Sequence, residues 1–248
     1  MNLPTSAAVE VIPLELGEFR FPDPELAGRR GVVVGYAVRH DEGIFLFDTG
    51  FGFGNEELDR TYHPVARPVG EVLYDAGIDL RDVTAVANCH LHADHAGQNG
   101  AFRDLPVRIH VQSTEWELAH TTDHTILEWI DAPGTDAYQL VDGDHDVTPA
   151  IRLLATPGHT GGHQSVALAT PEGTVVLAGQ ACYTAGEWEG DPDALEGRSG
   201  APDSDAYDAS IARLRALDPV RVHFAHDRTV WQAAPDPAAR PAILPGPC

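Results

Sequence analysis

The segment from Cys89 to Gly97 constrains this chain most, because three histidines and one aspartate fall within six positions in the order His-x-His-x-Asp-His. At an extended strand end side chains alternate, so His90 and His92 point the same way. Asp94 and His95 follow too closely to share that face unless the chain turns. The spacing therefore predicts two neighbouring groups of metal ligands, one of histidine alone and one that mixes histidine with carboxylate. Neutral imidazole and carboxylate suit zinc or a similar divalent first-row metal.

The composition describes a globular chain with a strong negative charge. With 248 residues, 43% of them hydrophobic, it can bury a substantial core. We expect one domain over residues 1–248, with a weakly structured tail from about residue 233. The formal net charge is −22, and all 16 basic residues are arginine. Phosphate backbones and anionic lipids require clustered cations, so we expect neither a nucleic acid nor a membrane as a partner.

Cysteine usage and the N-terminus indicate the compartment. Cys89, Cys182 and Cys248 are widely separated and suggest no framework of disulfide pairs, which favours a reducing environment. The N-terminus lacks a basic segment followed by an apolar one, and no apolar run approaches the roughly 20 residues that span a bilayer. We therefore expect a cytoplasmic protein.

Apolar runs separated by turn residues predict strands interspersed with helices. The predicted strands cover residues 9–16, 31–38, 44–47, 83–87, 107–111, 151–155, 165–169, 174–178 and 220–224. The predicted helices cover residues 69–76, 114–120 and 205–217. Ser113 is predicted to cap the second of these helices, which we expect to continue over 123–131. The polar stretch 184–204 is predicted to be a loop.

Two later segments place a histidine just beyond a predicted strand. After the strand at 151–155, proline and glycine form a rigid turn that aims His159 away from the strand end. Near the C-terminus, His226 follows the strand at 220–224 in the same way. Since the histidine motif at 90–95 also follows a strand, these side chains are expected to meet at one edge of the fold.

Together these motifs resemble the metallo-β-lactamase superfamily. The matching segments occur in the family's order and are Asp48-Thr49-Gly50, His90-x-His92-x-Asp94-His95, Thr156-Pro157-Gly158-His159-Thr160 with His163, and His226. The resemblance implies an α+β fold, a four-layer αββα sandwich with two metals at the end of the paired sheets. It assigns one metal to His90, His92 and His159, and the other to Asp94, His95 and His226. Asp48 is expected to accept a hydrogen bond from a ligand imidazole, and His163 to support the site from outside.

Gln180 departs from the family's pattern, which usually has an aspartate bridging both metals at that point. A neutral amide cannot offset charge, although its carbonyl oxygen can ligate one metal. Two dications about 3.5 Å apart repel by on the order of 20 kcal/mol at an effective dielectric of about 20, before ligands offset the repulsion. We therefore expect Zn²⁺, with Fe or Mn as alternatives, held tightly in one group and more weakly in the other. A bridging residue elsewhere in this loop is the alternative.

Within the superfamily the chain resembles N-acyl homoserine lactonases, in which a tyrosine three residues after the bridging position contacts the lactone carbonyl or the developing oxyanion. Tyr183 stands three residues after Gln180. The resemblance implies a lactone ring opened by metal-activated water, with Asp94 orienting it or accepting its proton. The substrate would be a small molecule, and residues 19–30 and 51–54 would line a groove for its acyl chain.

Two other functions remain open at this point. A thioester hydrolase similar to glyoxalase II uses the same metals and water, but the clustered cations that a glutathione or coenzyme A tail needs are not apparent in the sequence. Because Gln180 alters the site, the sequence is also compatible with a non-hydrolytic metal-binding or biosynthetic protein. The sequence does not predict the oligomeric state.

Overall fold

Two β-sheets form the centre of the molecule in the computed structural model, which describes residues 9–22, 26, 28–123 and 125–234. The first sheet contains β1 (Glu10–Arg20), β2 (Arg30–His40), β3 (Gly43–Phe47), β4 (Val65–Ala66), β5 (Val83–Ala87), β6 (Arg108–Gln112) and β7 (Tyr138–Val141). The second contains β8 (His145–Thr148), β9 (Ile151–Ala155), β10 (Gln164–Thr170), β11 (Gly173–Leu177), β12 (Arg221–His223) and β13 (Trp231–Gln232).

The strand order places β5 inside the first sheet, in the sequence β4-β1-β2-β3-β5-β6-β7. β2 and β3 form a hairpin about Asp41 and Glu42, and β5 lies parallel to both β3 and β6. The second sheet runs β13-β12-β11-β10-β9-β8, with β11 and β12 parallel. The strands that deliver the histidine motifs are therefore interior strands whose neighbours fix where they end.

Helices cover the outer faces of both sheets. They are α1 (Glu56–Tyr62), α2 (Val69–Asp75), α3 (Ala93–Ala96), α4 (Ser113–Thr121), α5 (Leu127–Ile130), α6 (Ala185–Glu189) and α7 (Ser204–Arg215). One apolar cluster joins the first sheet to α2, α4 and α5, and a second lies between the sheets. A third joins the second sheet to α6 and α7. The predicted α+β fold, a four-layer αββα sandwich, is confirmed.

Three local predictions were wrong. Ser113 does not cap a helix: it is the first residue of α4, and its hydroxyl donates to the carbonyl of Val141. The helix ends at Thr121, and a separate short helix, α5, follows instead of a continuation over 123–131. The stretch 184–204 contains α6 and a 3₁₀ turn, because Thr184 accepts a hydrogen bond from the Glu187 N–H and so caps a helix.

The expectation of one domain over residues 1–248 stays a prediction. The predicted weak tail from about residue 233 lies almost entirely outside the described residues. Within the described part of the chain, the helices are all too short or too polar to cross a bilayer.

Candidate metal centre

The histidine motif sits where β5 ends and a single helical turn begins. His92 occupies the N-cap position of α3 with extended backbone angles, and the helical turn carries Asp94 and His95 round to a different side. The turn is held against the β3 end, since the Thr49 N–H donates to the His95 carbonyl at 2.7 Å. A Cβ at Gly97 would stand 2.0 Å from a neighbouring backbone nitrogen, so only glycine fits there. The bend expected from the sequence is therefore built by packing as well as by helix geometry.

His90, His92 and His159 form the first cluster. Their ligand atoms all lie within 4.8 Å of one another, and Nε2 of His159 lies 3.2 Å from Nδ1 of His92. Two nitrogen ligands of a tetrahedral zinc, each about 2.1 Å from the metal, stand about 3.4 Å apart. The observed separation suits two nitrogens that share one cation.

Asp94, His95 and His226 form the second cluster, beside the first. Oδ2 of Asp94 lies 3.2 Å from Nε2 of His95 and 3.6 Å from Nε2 of His226. The rings of His90 and His95 are 4.5 Å apart between centroids, so the two clusters adjoin. The chain thus brings together all six ligands that the sequence assigned to two sites, from β5–α3, the β9 end and the β12 end.

Buried acceptor atoms test whether these clusters suit a cation. Among the described residues, no hydrogen-bond partner is present for Nε2 of His90 and His226, or for Oε1 of Gln180. A buried polar atom without a partner carries a substantial desolvation cost. Because these atoms sit in or next to the clusters, the donor set fits a divalent first-row metal.

Contacts behind the ligands orient their lone pairs. Asp48 accepts from Nδ1 of His95 at 2.9 Å, as the sequence predicted for a ligand imidazole, and from the Cys89 N–H at 2.8 Å. Nδ1 of His226 donates to the Val32 carbonyl at 2.8 Å. Each of these bonds leaves Nε2 as the ring nitrogen with a free lone pair. Asp48 reaches its position with φ of 68°, a left-handed conformation that aspartate tolerates better than most residues.

Electrostatics distinguish the two clusters. Burial lowers the pKa of His90 and His159 well below the usual value, and the surrounding histidines lower it further, so these rings are neutral ligands. Burial lowers the pKa of His226 to about 4. The pKa of His95 stands well above its usual value despite burial, because Asp94, Cys89 and Asp48 face it. A cation bound at the second cluster would compete with that proton.

The backbone of Gln180 is held by His163. Its N–H donates to Nε2 of His163 at 2.9 Å, and Nδ1 of His163 lies 2.9 Å from the Thr156 hydroxyl. His163 therefore supports the Gln180 backbone and lies outside both ligand clusters. The ring of Tyr183 stands 4.6 Å from that of His226 between centroids.

The family model of the metallo-β-lactamase superfamily matches residues 28–232. The chain belongs to this superfamily. It is 37% identical over 209 residues to an N-acyl homoserine lactonase of a Bacillus species, covering 77% of this chain and 80% of that protein. An N-acyl homoserine lactone hydrolase with the product N-hexanoyl-L-homoserine bound at its catalytic metal centre has a TM-score of 0.73 at 28% identity, over 91% of this chain and 95% of the other. A Bacillus thuringiensis AiiA mutant with N-decanoyl-L-homoserine bound at its active site gives the same values.

Glu115 supports the first cluster, and the sequence did not predict this role. It is fully buried at the start of α4. Its Oε1 accepts from the Leu91 N–H at 2.9 Å, between two metal-ligand candidates, and its Oε2 accepts from the Thr160 hydroxyl at 2.6 Å, next to His159. One carboxylate thus ties together the two turns that form the three-histidine cluster. No local pattern in the sequence signals this role, since the contacts span up to 45 positions.

Proposed function

We propose that this chain is a metal-dependent hydrolase that opens the ring of an N-acyl homoserine lactone. The observation that carries the proposal is the pair of adjoining candidate ligand clusters with the ring of Tyr183 beside the second. Lactonases of 36–37% identity support the substrate class, as does a related structure that holds a ring-opened product at its metal centre. The resemblance in sequence and fold alone would be weaker support than the site.

His90, His92 and His159 would hold one zinc ion, and Asp94, His95 and His226 the other, with Gln180 offering a neutral oxygen. When bound, zinc supplies a nucleophilic water at neutral pH and polarises the carbonyl that the water attacks. Because position 180 brings no negative charge, we propose that the second cluster binds its metal more weakly than the first. Iron and manganese remain alternatives, since imidazole and carboxylate also suit them.

Asp94 and Tyr183 have distinct tasks in this proposal. Asp94 stays ionised, because His95, His226 and His92 hold its pKa far below the usual value against the effect of burial. As an ionised carboxylate it can accept a hydrogen bond from the attacking water and so orient it. Burial and the nearby Asp94 raise the pKa of Tyr183, so its hydroxyl stays protonated. A protonated hydroxyl can donate to the oxyanion that develops on the lactone carbonyl.

Aromatic side chains beside the second cluster support an acyl substrate. The ring of Phe19 lies 5.6 Å from that of His226 and 5.8 Å from that of Phe51 between centroids. Phe19 and Phe51 are buried, so they form a floor, whereas Phe53 and Tyr62 are exposed by 54% and 36%. We propose that the exposed rings contact the acyl chain, with a small molecule as the only partner required.

The test is a hydrolysis assay with protein loaded with zinc, manganese or cobalt. We expect turnover of N-acyl homoserine lactones, with acyl thioesters turned over much more slowly. His159→Ala should lower kcat/KM by about a hundredfold or more, because it removes a ligand of the first cluster. His120→Ala, on the exposed side of α4, is the matched control and should leave it unchanged.

The alternatives give different results in the same assay. Faster turnover of thioesters than of any lactone would favour the thioester hydrolase. Iron content with oxygen consumption, and no hydrolysis, would favour a non-hydrolytic biosynthetic protein. Failure to open any lactone with all three metals would reject the proposed substrate class.

A further inference from the structure

Glu187 lies outside both metal clusters but holds the backbone of Tyr183. Thr184 and Glu187 have the spacing of a capping box, in which the glutamate usually turns back to the N–H of the cap residue itself. Here the Glu187 N–H donates to the Thr184 hydroxyl at 3.1 Å, whereas Oε2 of Glu187 accepts from the Tyr183 N–H at 2.5 Å. The carboxylate is therefore directed one residue further back, to the residue whose phenol stands beside His226.

The same carboxylate fixes two other parts of the chain. Its Oε1 accepts from the Gly197 N–H at 3.0 Å. The hydroxyl of Tyr207, a fully buried residue of α7, lies 3.1 Å from both carboxylate oxygens. Three donors from three segments thus converge on one partly buried side chain, and two of those segments carry no metal ligand.

Gly197 confines the ring of Tyr183. A Cβ at residue 197 would stand 2.5 Å from Cδ2 of Tyr183 and 2.5 Å from the Tyr207 hydroxyl. Its φ of −88° is accessible to any residue, so the requirement for glycine is steric. The Tyr183 ring also contacts the ring of His226, with 4.6 Å between the two centroids. The Tyr183 ring therefore has little room to move between Gly197 and His226.

α7 supports the His159 turn as well. A Cβ at Gly158 would come within 2.5 Å of the Tyr207 backbone nitrogen, and the Ser210 hydroxyl donates to the Pro157 carbonyl at 2.7 Å. Tyr207 therefore lies between the segment that carries Tyr183 and the turn that carries His159. A change in its contacts with Glu187 would alter how these two parts of the site are held relative to each other.

We propose that Glu187 and Tyr207 are positioning residues for the reaction, and that they hold the Tyr183 hydroxyl where it can donate to the substrate carbonyl. The inference rests on the proposed function, because it assigns the task to that same hydroxyl. A donor that is displaced by a fraction of an ångström stabilises a developing oxyanion poorly. Glu187 would thus act on the reaction through Tyr183 and never touch the substrate.

A double-mutant cycle tests this with the zinc-loaded protein and an N-acyl homoserine lactone. Glu187→Gln keeps the side chain's size but turns one acceptor into a donor that faces the N–H and O–H groups. We expect kcat to fall about tenfold with KM changed less than twofold. In a Tyr183→Phe background, the same substitution should lower kcat less than twofold, because the hydroxyl it positions is gone. Glu189→Gln, exposed on the same helix, is the control and should change neither constant.

Two outcomes would overturn the proposal. One is an equal loss of kcat from Glu187→Gln with and without the Tyr183 hydroxyl, which would show a general structural role. The other is unchanged hydrogen exchange at the Tyr183 and Gly197 amides in Glu187→Gln, where we expect exchange at least tenfold faster than in the parent protein. The exchange measurement needs no substrate, so it tests whether Glu187 holds the Tyr183 and Gly197 amides even if the parent protein opens no lactone. Failure of the parent protein to open a lactone would reject the proposed function alone.

Discussion

At the scale of single residues, Gln180 should set the metal content of the second cluster. Replacing it with aspartate would add one negative charge beside the two candidate clusters, which would strengthen binding of a second metal. We expect the parent protein, dialysed against a weak chelator, to keep about one metal ion per chain, and Gln180→Asp to keep about two. Elemental analysis of both proteins after the same dialysis measures this.

A negative charge added outside the clusters is the control for the measurement of metal content. Gln232→Asp makes the same substitution at an exposed position in β13 and should retain the parent's metal content. If the parent and Gln180→Asp both retain two tightly held ions, the amide does not weaken the second cluster. In that case the neutral oxygen of Gln180 and the three remaining ligands are sufficient.

Also at this scale, the sequence predicted the residues that lie in short motifs. Spacing predicted that the histidines and the aspartate of the 90–95 motif would form metal-ligating clusters, and the position of His159 and His226 after strands predicted that they would join them. Glu115 and Tyr207 were out of reach, because their contacts join segments 20 or more positions apart. Glu187 is intermediate: its spacing from Thr184 signals a capped helix start, yet no pattern shows that its carboxylate reaches Tyr183.

At the scale of elements, interior strands and amphipathic helices were predicted well, and short elements were missed. β5 matches its predicted range because a buried run bounded by turn residues has few alternatives. β4 and β13 have two residues each and depend on pairing with distant strands, so no local period marks them. α1 follows a glycine-rich loop and buries only Leu58, which leaves almost no apolar pattern to detect.

α7 offers a test of one element's contribution to stability. Its N-cap Asp203 accepts from the Ala206 N–H at 2.9 Å, and the Asp203 N–H reaches the Gly158 carbonyl beside the His159 turn. Asp203→Ala should lower the free energy of unfolding by about 1 kcal/mol, since it removes the cap. Denaturant unfolding measures this, with Asp205→Ala in the same first turn as the control. Equal stability of the two variants would show that the cap bond contributes nothing measurable.

At the scale of the whole molecule, the two candidate metal clusters lie where the two sheets meet. His90, His92, Asp94 and His95 follow β5 of the first sheet, whereas His159 and His226 follow β9 and β12 of the second. Each cluster therefore takes ligands from both sheets, so a bound metal cross-links the sandwich. The net charge of −22 adds a field that attracts divalent cations towards the protein and disfavours polyanions.

Removal of the metal should consequently destabilise the entire fold. At a free metal concentration about a thousandfold above Kd, binding to the folded state alone contributes about 4 kcal/mol, which corresponds to a thermal midpoint about 10 °C higher. We expect chelation to lower the midpoint by this amount and added zinc to restore it, as measured by calorimetry. In His159→Ala the zinc-induced shift should be strongly reduced, because the first cluster then lacks its ligand from the second sheet, while His120→Ala keeps the full shift. A chelated protein shown to be metal-free that melts at the same temperature would contradict both preferential binding of the metal to the folded state and the cross-link that depends on it.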